Sequence, residues 1–474
     1  MGMEKALHWF RRDLRLTDNT ALNAAVRRSD VVYSVYVASA WSGSHEWTGP
    51  GRQAFLSACL RDLSAGVAAA GGCLIHRRGE AVTELVKLAA ELGVDVVYAN
   101  RDPDPFGREV EKRLAVALER DGRKLLLFKD VAMHEQDEVL TGSGTSFRVF
   151  TPYSRAWLRL PKAAPGARVT KLGSPPPNVA VGRVPDLGAW GLTEDGTVLP
   201  VAGEAAARAR VERFLDGRVF GYADARDLPA LEATSRISQD LRWGTVSIRE
   251  VFRRVQERMR GATVDQQRNA QVFIAELCWR EFYFQTLWFH PEVLEVEFQE
   301  QFRGMPWETD AERYRRWCEG RTGFPIVDAG MRELRATGFV HNRVRMIVAM
   351  FLTKDLHLDW RMGEKWFQKR LLDGEIASNN GGWQWSAGTG TDAAPYFRIQ
   401  NPWTQTGRYD PEGAYIRRWV PELGEVSPRR LAEAPSGGVP LHADYPLPML
   451  DHARERDRAM DHYKGHLASV KKSG

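Results

Sequence analysis

Residues 373–398 read DGEIASNNGGWQWSAGTGTDAAPYFR. Glycine, serine, asparagine and threonine are too dense here for an ordinary amphipathic helix, and the run is too aromatic for a plain surface loop. Trp383 and Trp385 stand one residue apart, preceded by Asn379, Asn380, Gly381 and Gly382. Glycine lets a backbone approach a ligand with no Cβ in the way. Flat aromatic faces stack on bases or on a flat fused-ring cofactor. The same composition also reads as a glycine-rich turn between two core helices, with a tryptophan packed on each side.

Around this run, residues 201–474 are helical in pattern, with a 3.6-residue apolar period over 205–215, 248–260, 266–290, 311–318, 341–356 and 364–372. Residues 266–290 are the most informative of these helices. Glu276, Trp279, Arg280 and Tyr283 fall at i, i+3, i+4 and i+7, so they share one face. A carboxylate, an indole and a guanidinium on one stripe can bind an aromatic, partly anionic ligand. Equally, Glu276 and Arg280 can be a surface ion pair beside a core tryptophan. Residues 234–238 (TSRIS) combine hydroxyls, backbone N–H groups and a cation. That inventory suits a pyrophosphate, or a helix N-cap.

Residues 1–130 alternate strand-like runs at 6–10, 31–37, 73–76, 94–99 and 124–128 with amphipathic patterns at 52–70, 81–92 and 106–120. This alternation predicts an α/β domain with a parallel, doubly wound, five-stranded sheet. No GxGxxG or Walker A motif occurs in it, so a conventional dinucleotide or NTP site is not indicated. Arg11, Arg12, Asp13 and Arg15 read as a solvated charged turn. Between 131 and 200 the pattern dissolves into runs such as GSG at 142–144 and PPP at 175–177, which predicts a long interdomain connection. The expected division is 1–130, a linker over 131–200, and an all-helical domain over 201–474.

The 474 residues exceed one hydrophobic core, and 43% hydrophobic with 27% charged residues is a globular composition. A net charge of +5 fits a polyanionic partner without requiring one. Sixteen tryptophans suggest stacking or electron transfer. Cys59, Cys73, Cys278 and Cys318 form no CxxC pair, which argues against a metal site and for a reduced compartment. No apolar run could span a bilayer, so a soluble cytoplasmic protein with no membrane contact is expected.

Several motifs, in order, resemble the photolyase/cryptochrome family, closest to class I cyclobutane pyrimidine dimer photolyases. They are FRRDLR at 10–15, TSRIS at 234–238, WREF at 279–282, TGFPIVD at 322–328, HNRVRM at 341–346 and the run at 373–398. The resemblance implies an all-α FAD-binding C-terminal domain and UV-damaged DNA as partner, acted on by a monomer. Flavin contacts carried over are Tyr222, Thr234, Ser235, Arg236, Ile237, Ser238, Arg280, Asn342, Arg345, Asp373, Gly374, Glu375 and Asn379. Lesion and DNA contacts are Arg226, Glu276, Trp279, Asn342, Arg343, Met346, Trp385, Arg398 and Arg408. Glu276 would hydrogen-bond the dimer, with Trp279 and Trp385 stacking on it. Trp383, Trp360 and Trp307 match an electron-transfer chain to the flavin.

Three positions direct the resemblance toward repair. Asn379 matches the residue facing flavin N5, where plant cryptochromes carry Asp and insect ones Cys. Asn342 and Met346 replace the two histidines of (6-4) photolyases, so a cyclobutane dimer, which needs only an electron, is the expected lesion. The alternative is a cryptochrome-like photoreceptor without repair activity, against which the short ending after Tyr463 also counts as an expectation. The wording of 379–392 departs from DASH-type cryptochromes. In the N-terminal domain, residues 100–108 (NRDPDPFGR) carry an extra proline and lack the Asn-Glu pair of folate-binding members. A second, antenna chromophore is therefore a deazaflavin, a flavin or a folate, or the site stands empty.

Overall fold

The computed structural model describes residues 4–473, which fall into two compact units. The first comprises the chain up to Asp195 together with Leu199–Gly221 and Ser235–Phe289. The second comprises Gly196–Val198, Tyr222–Thr234 and the chain from His290 onward.

In the first unit, strands β1 (Lys5–Phe10), β2 (Val31–Ala38), β3 (Leu74–Arg78), β4 (Val96–Asn100) and β5 (Lys124–Phe128) form one parallel sheet in the order β3-β2-β1-β4-β5. The near-continuous burial of β1, β2 and β4 is that of a sheet covered on both faces. Helices α1 (Thr20–Arg28), α2 (Pro50–Ala69), α3 (Ala81–Leu92) and α4 (Pro105–Arg120) alternate with the strands. Leu7, Val35, Ile75, Leu88, Val97 and Leu114 are in the core they share. Among α1–α4, helix α1 is the one that the sequence pattern does not mark.

The expected solvated turn after β1 is a buried ion network instead. Arg12, Asp13 and Arg15 are all under 7% exposed. Arg15 meets Asp130 at 2.6 Å and Arg12 meets Asp102 at 2.9 Å. The charges can be dehydrated because each is matched at hydrogen-bond distance.

The rest of the chain is helical: α5 (Phe150–Arg159), α6 (Glu204–Leu215), α7 (Tyr222–Ala225), α8 (Ser238–Trp243), α9 (Ile248–Met259) and α10 (Val264–Phe289). It continues as α11 (Ala311–Glu319), α12 (Pro325–Thr337), α13 (Asn342–Met350), α14 (Trp360–Arg370) and α15 (Ile376–Ala387). It ends with α16 (Pro402–Tyr409), α17 (Ala414–Trp419), α18 (Pro428–Leu431) and α19 (His452–Ser473). The compact units divide the chain differently from the expected 1–130, 131–200 and 201–474. Segments α6 and α8–α10 pack with the sheet, through Arg249 to Asp18 at 3.0 Å and to Asp130 at 2.6 Å, and through Leu14 N–H to Trp243 O. Residues 131–200 also contain α5, whose Tyr153 and Trp157 are buried.

In the second unit Trp317, Met331, Val348, Trp360, Phe367, Trp383 and Tyr415 belong to one apolar core. The helix expected over 341–356 ends at Met350 and becomes a π turn over Phe351–Asp355. Within that turn Lys354 is fully buried and donates to Ala387 O at 2.8 Å and Tyr396 O at 3.1 Å. No helix among the described residues is long and apolar enough to cross a membrane.

Candidate functional site

The first unit presents one stripe of α10. Glu276, Trp279, Arg280 and Tyr283 are partly exposed, while Leu277, Cys278, Glu281 and Phe282 are buried. Glu281 anchors the buried side, accepting from Met133 N–H, from His134 N–H at 3.1 Å and from Trp157 Nε1 at 2.6 Å. Trp279 lies flat on Phe150, with ring centroids 3.7 Å apart and planes 7° from parallel. Arg280 donates to Val131 O at 2.9 Å and to Leu241 O at 3.2 Å, which ties α10 to α8. Burial first, and Arg12 second, hold the Arg280 pKa below the ordinary arginine value. An anion beside the guanidinium would relieve both effects.

Residues 235–238 lead into α8. Arg236 has a left-handed φ of +55°, and Ile237 follows at φ −107°, ψ 7°. Such a pair turns successive N–H groups to one side and forms an anion-binding concavity. A non-glycine residue at positive φ is strained, and ligand sites are where such strain collects. Gln239 Nε2 donates to Arg236 O at 2.7 Å and steadies the turn. Arg236 and Ser238 are exposed, Ser235 half-buried and Ile237 buried.

In the second unit, Ile376–Ala387 of the glycine- and asparagine-rich run 373–398 form a helix, α15, contrary to their composition. Tertiary contacts override propensity here. Asn380 and Gln384 each donate to Val293 O at 2.9 Å, and Trp383 is 3% exposed. The opposite side is accessible and holds Ser378, Asn379, Gly382 and Trp385. A Cβ built on Gly382 would meet nothing within 4 Å, so open space lies over the helix between Asn379 and Trp385. Asn379 Nδ2 donates to Glu364 O at 2.9 Å, which turns the amide oxygen away from that carbonyl as a free acceptor. The Glu364 side chain is buried, and burial pushes its carboxyl up to about 8, with the Asn380 hydrogen bond opposing.

Just before α15, Asp373 Oδ2 accepts from Arg345 at 2.8 Å, while Oδ1 is buried with no hydrogen-bond partner among the described residues. Gly374 O accepts from Gln368 at 3.0 Å, and Glu375, buried, stands at the N-cap. On α13, exposed Asn342 and half-buried Met346 lie one turn apart. Arg343 meets Asp227 at 2.7 Å and lies over the Tyr409 ring, which it shares with exposed Arg408. Tyr222 is buried beneath Arg226, Thr234 is half-buried and Arg398 is exposed. Trp383 packs on α14 at Gly363, three residues from buried Trp360, and Trp307 is partly exposed.

Asp227, Glu297, Glu364 and Phe150 were not foreseen from the sequence. Each touches a candidate residue across a long sequence gap, and no local motif marks such a pair. Gly382 was visible, but only the fold shows the space above it.

Each unit by itself carries features that suit part of a flavin dinucleotide: in the first, the N–H concavity at 236–237 and Arg280 suit phosphates; in the second, the lone Asp373 Oδ1 suits a ring N–H and the open face of α15 suits a flat ring. Two family models match the chain, "DNA photolyase" over residues 6–172 and "FAD binding domain of DNA photolyase" over 273–465. A deoxyribodipyrimidine photo-lyase of Agrobacterium fabrum is 38% identical, with 98% of each chain covered. The crystal structure of a bacterial class III photolyase from Agrobacterium tumefaciens superposes with a TM-score of 0.90, at 37% identity over 98% of each chain. An archaeal photolyase from Sulfolobus tokodaii, solved with two FAD molecules, gives a TM-score of 0.84 at 29% identity, over 97% of this chain and 100% of its own. A class III photolyase is this similar, so the likeness holds at the level of the family rather than of class I. With both models matched in order and a relative this similar along nearly its whole length, the chain belongs to the photolyase/cryptochrome family.

Proposed function

We propose that this chain repairs DNA by light, splitting cis-syn cyclobutane pyrimidine dimers with FAD as its cofactor. The observation that carries the reading is the accessible face of α15, where Asn379 and Trp385 flank the open space over Gly382. Bound FAD, reduced and excited by blue or near-UV light, would supply the electron that opens the two bonds between the pyrimidines and take it back afterwards.

The residues of the chain then have distinct tasks. In the first unit, Ser235, Arg236, Ile237, Ser238 and Arg280 hold phosphates, and Glu276 hydrogen-bonds the dimer while Trp279 stacks on it. In the second unit, Arg345, Asp373, Gly374, Glu375, Tyr222 and Thr234 contact the cofactor. Asn379 offers an amide oxygen and no acidic proton, which suits a ring that must give up an electron rather than a proton. Asn342, Met346 and Trp385 line the lesion, and Arg226, Arg343, Arg398 and Arg408 meet phosphates in a salt-sensitive, sequence-independent way. Flipping the dimer out is the general strategy of enzymes that do chemistry on bases, photolyases among them. Trp383, Trp360 and Trp307 relay electrons inward when the cofactor is oxidised.

The reading extends to a monomer acting in the cytoplasm, with residues 1–130 as an antenna domain, 131–200 as the connection and 201–474 as the flavin domain. The second FAD of the Sulfolobus tokodaii photolyase supports a flavin rather than a deazaflavin or a folate as the antenna. The deciding experiment is repair of a defined thymine-dimer duplex by reduced protein, in light and in darkness, beside a (6-4) duplex. Light-dependent loss of the cyclobutane dimer alone supports the reading. Photoreducible bound flavin without repair sinks it and leaves a photoreceptor.

A further inference from the structure

Glu297 joins the two outer tryptophans of the proposed relay. Its Oε1 accepts from Trp360 Nε1 at 3.2 Å and from Trp307 Nε1 at 3.3 Å. The same oxygen accepts from Arg361 at 3.1 Å. Glu297 is 2% exposed, so a dehydrated carboxylate is placed where two indole N–H groups converge. Arg361 also pairs with Asp359 at 3.1 Å and lies 4.6 Å from the Trp360 ring centre. Beside Trp307 stand His462 and Tyr463, edge-on. A clip that only fixed the rings could use any acceptor, whereas a buried charge is costly unless it answers another charge. The Arg361 cation over Trp360 disfavours positive charge on that indole, and the carboxylate offsets it.

We propose that Glu297 is a positioning residue for the relay and the proton acceptor of its outermost member, an inference that rests on the relay of the preceding section. Trp307 loses one electron, which travels through Trp360 and Trp383 to photoexcited oxidised FAD. The oxidised indole becomes strongly acidic. Its N–H bond breaks, the electron pair stays on nitrogen, and the proton passes to Glu297 Oε1, leaving a neutral indolyl radical and a carboxylic acid. An external thiolate then returns one electron and Glu297 returns the proton, which restores both side chains and leaves a thiyl radical. Separating the charges in this way holds the electron inside long enough for the reductant to arrive.

The test is transient absorption of the holoprotein with oxidised FAD, comparing wild type, Glu297→Gln and Glu297→Asp. Glutamine keeps an acceptor oxygen but no charge and no proton affinity, and aspartate keeps the charge one methylene further away. Conversion of the tryptophan radical cation to the neutral radical is expected to slow roughly tenfold in Glu297→Gln, with a smaller delay in Glu297→Asp and a parallel fall in steady photoreduction. Wild-type conversion rates in both variants, with FAD bound and the circular dichroism unchanged, overturn the proposal. Trp307→Phe that photoreduces as fast as wild type overturns it too, by removing the relay. Dimer repair by chemically reduced wild-type protein needs no relay, so it judges the repair reading separately.

Discussion

The indole of Trp383 rests directly on the backbone of Gly363: a Cβ built on that glycine would stand 2.1 Å from Trp383 Cη2 and 2.4 Å from Cζ3. Helix α14 thus approaches α15 only because residue 363 has no side chain, and this contact seats Trp383 beside the helix that carries Trp360. Alanine would gain up to about 1 kcal/mol of helix propensity, but overpacking of a tight core costs about 1–3 kcal/mol. With Leu352 Cδ2 also within 2.7 Å, the clash is expected to win. Gly363→Ala should lower stability in denaturant unfolding and slow flavin photoreduction, because Trp383 must move.

Gly382 behaves oppositely although it is another helical glycine. Nothing lies within 4 Å of its would-be Cβ. Gly382→Leu should therefore leave the apoprotein as stable or up to about 1 kcal/mol more stable, by helix propensity alone. The side chain would fill the open face between Asn379 and Trp385, so the purified variant is expected to retain little or no FAD. Thermal unfolding of the apoprotein and the flavin absorbance of the purified protein check the two halves.

Stability should depend on pH through Glu364. Its carboxyl loses its proton near 4.5 when unfolded, but burial raises that to about 8 in the fold. Between those values the folded state holds a proton that the unfolded state has released. Stability from this group is therefore present below about pH 4.5, declines as pH rises toward 8 and is level above, a change on the order of a few kcal/mol. Glu364→Gln keeps an oxygen for Asn380 and has no proton to lose. Denaturant unfolding at a series of pH values should show a slope one proton shallower for the variant across that window. Identical slopes would place the titration elsewhere.

Periodicity was sufficient where a residue's neighbours in the chain decide its structure. The expected strand at 124–128 and helix at 81–92 match β5 and α3 residue for residue. The helix ends there because Gly93 takes a left-handed φ of 62°. It failed where distant partners decide. Residues 376–387 are helical because Asn380 and Gln384 find Val293, and Arg12 and Arg15 are buried because Asp102 and Asp130 lie beside them. The candidate residues of the site were legible as motifs, but their supporting partners were not. Glu297 lies 63 residues from Trp360, and Asp227 lies 116 from Arg343.

The Asp227–Arg343 pair gives a prediction of unusual sign. At 2.7 Å the aspartate compensates one of the four arginines assigned to DNA phosphates. If Arg343 reaches a phosphate, it must first give up this partner, so the net gain from that contact is small. Asp227→Asn removes the competitor and leaves the guanidinium over Tyr409. The variant should bind undamaged duplex more tightly at low salt than wild type does. Its plot of log affinity against log salt should steepen by up to about 0.9, one released counterion. Arg343→Ala should change little in that plot, since the wild-type arginine is already compensated. The double variant Asp227→Asn with Arg343→Ala should lose the steepening. Unchanged salt dependence in Asp227→Asn would mean that Arg343 serves the fold rather than the DNA, and that Arg226, Arg398 and Arg408 carry the phosphate contacts alone.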